Sequence, residues 1–278
     1  MNDTIGGLPV IVTFCPLCNS AVAFERTVAG ETRLFGVSGF LRKSDLVMYD
    51  DFNETMWQQI TGNGIVGDDA GKVLIAIPVQ TVSWETFIER FPEGQVLERP
   101  DFPNINYDET PYQGYDDDDN TSPFLFFEIP DRRIPVIERV AAFDLGTGPA
   151  AYAFSFLKEN PVVNDALGDI PIVIFFDDRT ESAFLSNQGD GEVNISGAST
   201  AFFRELGDRT LTFRLDGDGV IRDEQTGSGW DRFGLATSGE LEGEELVSVI
   251  HGDHFWFAWA AFKPDTALIV EEADLLVR

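Results

Sequence analysis

Positive charge is scarce in this chain. Lysine stands only at 43, 72, 158 and 263, and 19 basic residues face 48 acidic ones, leaving a net charge of −29. Such a surface repels phosphate backbones and anionic lipid, so nucleic acid and acidic membranes are poor partners. Histidine is scarcer still: only His251 and His254 can supply an imidazole base. The sequence has no phosphate-cradling glycine loop ending in Lys-Ser/Thr, no G-x-S-x-G elbow and no H-E-x-x-H pair. These gaps argue against the common kinase, hydrolase and metalloprotease chemistries. No apolar run approaches the ~20 residues that cross a bilayer, so no membrane span is expected. Met1 leads directly into Asn2-Asp3 without a basic and then apolar leader, so the chain as written shows no signal peptide. Cysteine is limited to Cys15 and Cys18.

What remains is ample for a folded body. The 278 residues are 43% hydrophobic and include 24 Phe and 5 Trp, enough for one large core or two intimate ones. The acidity has two readings: the general surface of a protein from a salt-loving (halophilic) host, which is preferred, or cation capture at a specific acidic site. Four Asn-x-Ser/Thr sequons, at Asn2, Asn53, Asn120 and Asn194, point weakly to an exposed, secreted protein.

The chain reads as mainly β, with two tandem copies of one β-rich unit packed as a single body. At an offset of 162, Asn2, Asp3, Gly6 and Pro9 meet Asn164, Asp165, Gly168 and Pro171. Cys15 then meets Asp177, so the second copy keeps the strand and lacks the sulfurs. Further on, Asp50 and Trp57 match Asp223 and Trp230, and Gly67, Gly71, Leu74, Trp84 and Pro92 match Gly239, Gly243, Leu246, Trp256 and Pro264. The expected organisation is residues 1–98 as a first copy, 99–136 as an acidic linker or long loop, and 137–278 as a second copy. The linker holds Tyr107, Tyr112 and Tyr115 and the run Asp116–Asp119, whose like charges predict a solvated loop; it lacks the spaced oxygen ligands of a calcium loop.

Leu8–Phe14 predicts a strand buried on both faces. Further strands are expected at Arg33–Ser38, Leu46–Tyr49 and Val73–Ile77. Ser83–Phe91 predicts a short helix capped by Ser83, stopped before Pro92, with Trp84, Phe87, Ile88 and Phe91 on one face. His254–Phe262 takes the equivalent place and is apolar all round, hence buried. Residues 139–163 read as strand, turn and strand. The first copy has no counterpart for that stretch, of about 25 residues by the repeat logic, so a longer natural beginning is expected, with any export signal inside it.

The stretches NDTIGGLPVIVTFCPLCNSAVAF (2–24), LFGVSGFLRKSDLVMYD (34–50), MWQQITG (56–62) and FWFAWAAFKPDT (255–266) are similar to the family called domain of unknown function 3179. The resemblance covers nearly the whole chain. It implies an exported or lipid-anchored, extracytoplasmic protein of bacteria or archaea. No activity follows from it, so whether the protein is an enzyme stays open.

Chemistry concentrates at Cys15-Pro16-Leu17-Cys18. The pair follows a strand, where thiols are presented at a sheet's end. Three readings stand: a structural staple or inert pair, a soft-metal site for copper or zinc, and a dithiol/disulfide couple. Copper(I) needs only two or three soft ligands. A closed zinc site needs four, and His251 and His254, at i, i+3 spacing, are the candidate additional ligands. They align near Val79 and Val82, so nothing in the repeat frame brings them to the cysteines. Asp50, Trp57, Asp223 and Trp230 read as structural: turn-capping carboxylates and core-filling rings rather than a paired-carboxylate site. The leading expectation is an extracytoplasmic protein whose CPLC pair binds metal or exchanges electrons; the alternative is a non-catalytic cell-surface module.

Overall fold

The structure, a computed structural model, describes residues 1–98, 110–117, 119–185 and 193–276. Tyr107 and Asp118 of the acidic segment lie outside the described residues. The chain is β-rich, 42% strand and 11% helix, in several antiparallel sheets. Antiparallel pairing follows from short glycine-bearing turns, such as Gly6-Gly7 between Asn2–Ile5 and Leu8–Cys15, both at positive φ.

In the first half, the cysteine strand Leu8–Cys15 pairs with Asn2–Ile5 on one side and with the return strand Ser20–Glu25 on the other. A second sheet is built on a long hairpin arm, Phe35–Arg42 and Asp45–Asp50, followed by Met56–Gln58 and Gly64–Val66. In the second half, Ile170–Asp177 lies between Val162–Leu167 and Ala198–Phe203. A sheet ordered Gly252–Phe255, Arg139–Asp144, Pro149–Ala153, Ala267–Ile269 backs it, sharing a core of Phe143, Tyr152, Leu157, Ile172 and Ile174.

The same contacts recur at matched positions. Asn2 clamps Phe35 by donating from Nδ2 to its carbonyl (2.8 Å) and accepting its N–H (2.9 Å). Asn164 does the same to Phe213, at 2.7 and 2.8 Å. Trp57 Nε1 donates to Asp50 Oδ2 at 2.8 Å, and Trp230 Nε1 to Asp223 Oδ2 at 3.0 Å. Both carboxylates also cap turns, Asp50 through the N–H groups of Phe52 and Asn53, Asp223 through that of Thr226.

Several expectations need correction. The cysteine strand is not buried on both faces, because Leu8 and Phe14 are exposed, Phe14 by 45%. An apolar run does not reveal whether a second layer covers the sheet, and here one face is open beside the first-half helix. That helix, Trp84–Arg90, is capped as expected by Ser83 Oγ, which accepts the Thr86 N–H at 3.1 Å. It buries no residue fully, and Trp84 is 57% exposed. Its counterpart Trp256–Phe262 is buried over Trp256–Ala260. Residues 139–163 are not simply strand, turn and strand: Phe154–Glu159 is a helix, since winding there buries Phe154, Phe156 and Leu157. The strand expected over Val73–Ile77 is confined to Ala76–Ile77. Asp116 is not solvated; it is buried against Arg139 Nη2 (2.7 Å) and Ser182 Oγ (2.6 Å).

Candidate metal centre

The two thiols sit at the tip of the hairpin between the cysteine strand and the return strand, where Cys15 pairs with Ser20. Pro16 opens a single 3-10 turn, Pro16–Cys18, with the φ it already prefers. Asn19 closes it in the left-handed region, its N–H donating to Pro16 O at 3.2 Å. The turn puts both sulfurs on the buried side: Cys15 is 2% exposed and Cys18 0%. Asn19 Nδ2 also donates to Asp253 O at 3.2 Å, fastening the tip to the second half.

A third donor comes from the arm. Its two-residue turn, Lys43-Ser44, has φ of 54° and 69°, a left-handed pair that non-glycine residues adopt at a cost of about 1 kcal/mol each. This turn aims Ser44 O at Cys15 Sγ (3.9 Å) and delivers Asp45, fully buried, beside the thiols. One ligand atom from each of Cys15, Cys18 and Asp45 lies within 4.8 Å of the others. Asp45 Oδ2 accepts Gln58 Nε2 and the Ile60 N–H, while Oδ1 has no partner. The next amide, Gln59 Nε2, donates to Thr13 Oγ1 at 3.0 Å and Ser20 O at 2.9 Å, locking arm and hairpin together.

The electrostatics are unbalanced. Burial pushes the Asp45 carboxyl up to about 6, against the pull of Ile60, Gln58 and the two thiols. Burial, with the neighbouring Cys15 and Asp45, pushes the Cys18 thiol well above its ordinary range. No lysine or arginine among the described residues pairs with Asp45. Lys43 Nζ, the nearest in sequence, is held by Ala261 O at 2.9 Å and Glu128 at 3.1 Å. The roof is Tyr115, whose hydroxyl donates to Leu17 O (3.2 Å) and accepts the Phe124 N–H (3.2 Å); burial raises its pKa. The second-half helix completes the wall, with Trp256, Phe257 and Trp259 in one buried cluster with Cys15, Leu17 and Cys18.

Tetrahedral coordination with metal–sulfur bonds of about 2.3 Å sets neighbouring sulfurs about 3.8 Å apart, a spacing this cluster can meet. The cysteines are free thiols. The structure brings Cys15 and Cys18 together and leaves His251 and His254 out of the cluster. His251 lies against the carbonyls of Val249 (3.1 Å) and Ser199 (3.2 Å), and His254 stacks on Trp259. Asp50, Trp57, Asp223 and Trp230 are buried in their half-cores. Sequence reasoning missed Asp45, Gln58 and Tyr115. The signal for Asp45 was present: it is an acid opening a strand whose Val47 and Met48 are core residues.

Fold and site thus define a mainly β protein with a buried cluster of two thiols and one carboxylate. Residues 1–266 match the family model described as "Protein of unknown function (DUF3179)", and the chain belongs to that family. Neither a curated protein nor a solved structure matches it. No helix among the described residues is long and apolar enough to cross a membrane.

Proposed function

We propose that Cys15, Cys18 and Asp45 hold a soft or borderline cation, Cu(I) or Zn(II), in a buried centre of an extracytoplasmic protein. The observation that carries this reading is the unbalanced donor set: two thiols and a carboxylate in mutual reach, with Asp45 Oδ1 unpartnered and no protein cation paired with it. A buried carboxylate with no cation beside it is costly, and a bound cation would offset that cost. Zinc uses both thiolates, the carboxylate and one further small ligand, whereas copper(I) is held by the two soft thiolates alone, the carboxylate being a hard donor that adds little to it. A thiol–disulfide couple serving an outside partner fits less well, because exchange requires a sulfur that the partner can reach. The extracytoplasmic placement rests on the family resemblance, and the acidic surface suits a halophilic host.

We also read the chain as two tandem copies, residues 1–98 and 137–278, joined by 99–136. The paired Asn clamps and Trp–Asp bonds support that reading. On it, the second copy is a scaffold and only the first carries the centre.

The test is elemental analysis of the full chain, purified anaerobically with reductant, together with thiol titration before and after a chelator. About one equivalent of copper or zinc, with two thiols that titrate only after chelation, is expected. Two freely titrating thiols and no uptake of Cu(I) or Zn(II) would overturn the proposal. Ready oxidation to a disulfide in such metal-free protein would favour the redox reading, and an inert pair would favour the structural module.

A further inference from the structure

A second feature lies beside this centre and uses none of its donors. A cleft of about 440 Å³ opens between the halves, walled by Phe24, Ile60, Val73 and Ile77 on one side and by Ala142 and Trp259 on the other. That volume falls in the range of small-molecule sites. Within the lining stands His254, 2% exposed, its Nδ1 without a hydrogen-bond partner and its ring stacked on Trp259 at 5.4 Å and 5°. The placement is a built one. A β-carbon at residue 252 would stand 2.4 Å from His254 Nε2, so the ring occupies this position only because Gly252 has no side chain. Gly252 has no positive φ to explain it, so ring clearance is the remaining reason for glycine there.

Charge narrows the ligand. Burial, with His251 nearby, depresses His254 to about 3, so the imidazole is neutral and offers one N–H and one bare nitrogen. The charged groups in the lining, Lys263 and Asp144, neutralise each other at 2.5 Å. An anion meets no free cation there and a cation no free acid. We propose that this cleft binds a neutral, largely apolar molecule of one or two fused rings whose single polar group pairs with His254. Ile60 links the two sites, since it is among the residues lining the cleft while its N–H donates to Asp45.

The test uses the whole chain as purified, with 1-naphthol, naphthalene and 1-naphthoate as probes in equilibrium dialysis. Saturable one-to-one binding of 1-naphthol is expected. Naphthalene should bind about tenfold more weakly, the worth of one net hydrogen bond, and naphthoate not measurably. His254→Phe retains a ring to stack on Trp259 and should lower 1-naphthol to the level of naphthalene. Val73→Trp, at an exposed wall position, should weaken both neutral probes and serves as the variant whose folding is not at risk. Equal binding of 1-naphthol and naphthalene, or no saturable binding up to the solubility limit, would overturn the inference. Metal content, measured on the same samples, separates this outcome from failure of the metal reading: His254→Phe should leave it unchanged.

Discussion

On the proposed two-copy reading, the halves treat one matched position in opposite ways. At the end of Ile170–Asp177, 162 residues beyond Cys15 and Cys18, stand Asp177 and Thr180. Asp177 is buried, which alone would raise its pKa, but Arg179 (2.9 Å) and Arg232 (3.5 Å) outweigh burial and hold it below the ordinary carboxylate range. In the first half burial wins at Asp45, because no such cation stands by. The arms differ too. Phe35–Arg42 is eight residues long and its turn brings Ser44 and Asp45 to the thiols, whereas the matched strand Phe213–Leu215 is only three. Asp177 is balanced by arginines of the chain, whereas Asp45 has no such partner among the described residues, and that is where the proposed cation would sit.

The sharpest way to break this comparison is to alter both ends. Replacing Cys15 and Cys18 with serine should reduce bound copper or zinc from about one equivalent to near zero with the far-UV circular dichroism unchanged. Asp45→Asn should weaken zinc binding by about 10- to 100-fold, the range that even supporting groups around metals command, and copper(I) binding far less. Asp177→Ala should leave metal content untouched and cost about 1–2 kcal/mol in denaturant unfolding. That figure is reduced from fully buried pairs because Arg179 and Arg232 are partly exposed. Equal loss of metal from Asp177→Ala would remove the distinction between the halves.

Acid tests a second feature, the buried His254. Its folded-state pKa is depressed from 6.5 to about 3, so the unfolded chain binds the proton first. Its contribution is therefore complete above about pH 6.5 and is lost as pH falls toward 3, by up to ~1.4 kcal/mol per unit. Urea unfolding of the parent and His254→Phe from pH 7 to 4 should show the parent losing stability faster.

Trp57→Phe and Trp230→Phe sharpen the likeness instead. Each removes an indole donor from a buried carboxylate, and the two should cost the same within about 0.5 kcal/mol, at about 1–3 kcal/mol each. Unequal costs would mark the matched contacts as superficial. The smallest effect is at the arm's turn. The second half turns with Gly219 at φ 78°, the first with Lys43 and Ser44. Ser44→Gly should stabilise the fold by up to ~1 kcal/mol in the same assay, offset by the loss of the Ser44 Oγ bond to Phe124 O.

Much of the fold could be read along the chain because its signals are local. The β-branched runs at 8–14 and 171–176, the Ser83 cap and the stop before Pro92 act within a few residues. The exposure of Phe14 and the helix at Phe154–Glu159 were not legible, since both depend on what another part of the chain covers. The site divides in the same way. The C-x-x-C spacing announced the thiols, whereas Asp45 and Tyr115 meet them only through tertiary contact, and the two histidines, attractive by spacing, were placed elsewhere by the sheet that carries them.

The wall around the thiols has a consequence for the order of events in folding. Asn19 is fastened to Asp253 across 234 residues and Lys43 to Ala261 across 218, while the helix Trp256–Phe262 packs on the CPLC turn. Contacts so distant in sequence carry the greatest loop-closure entropy and form late. The thiols therefore acquire their enclosure only when residues 253–262 dock on the CPLC turn. Until that docking is complete, Cys15 and Cys18 stay open to whatever the surroundings offer a thiol.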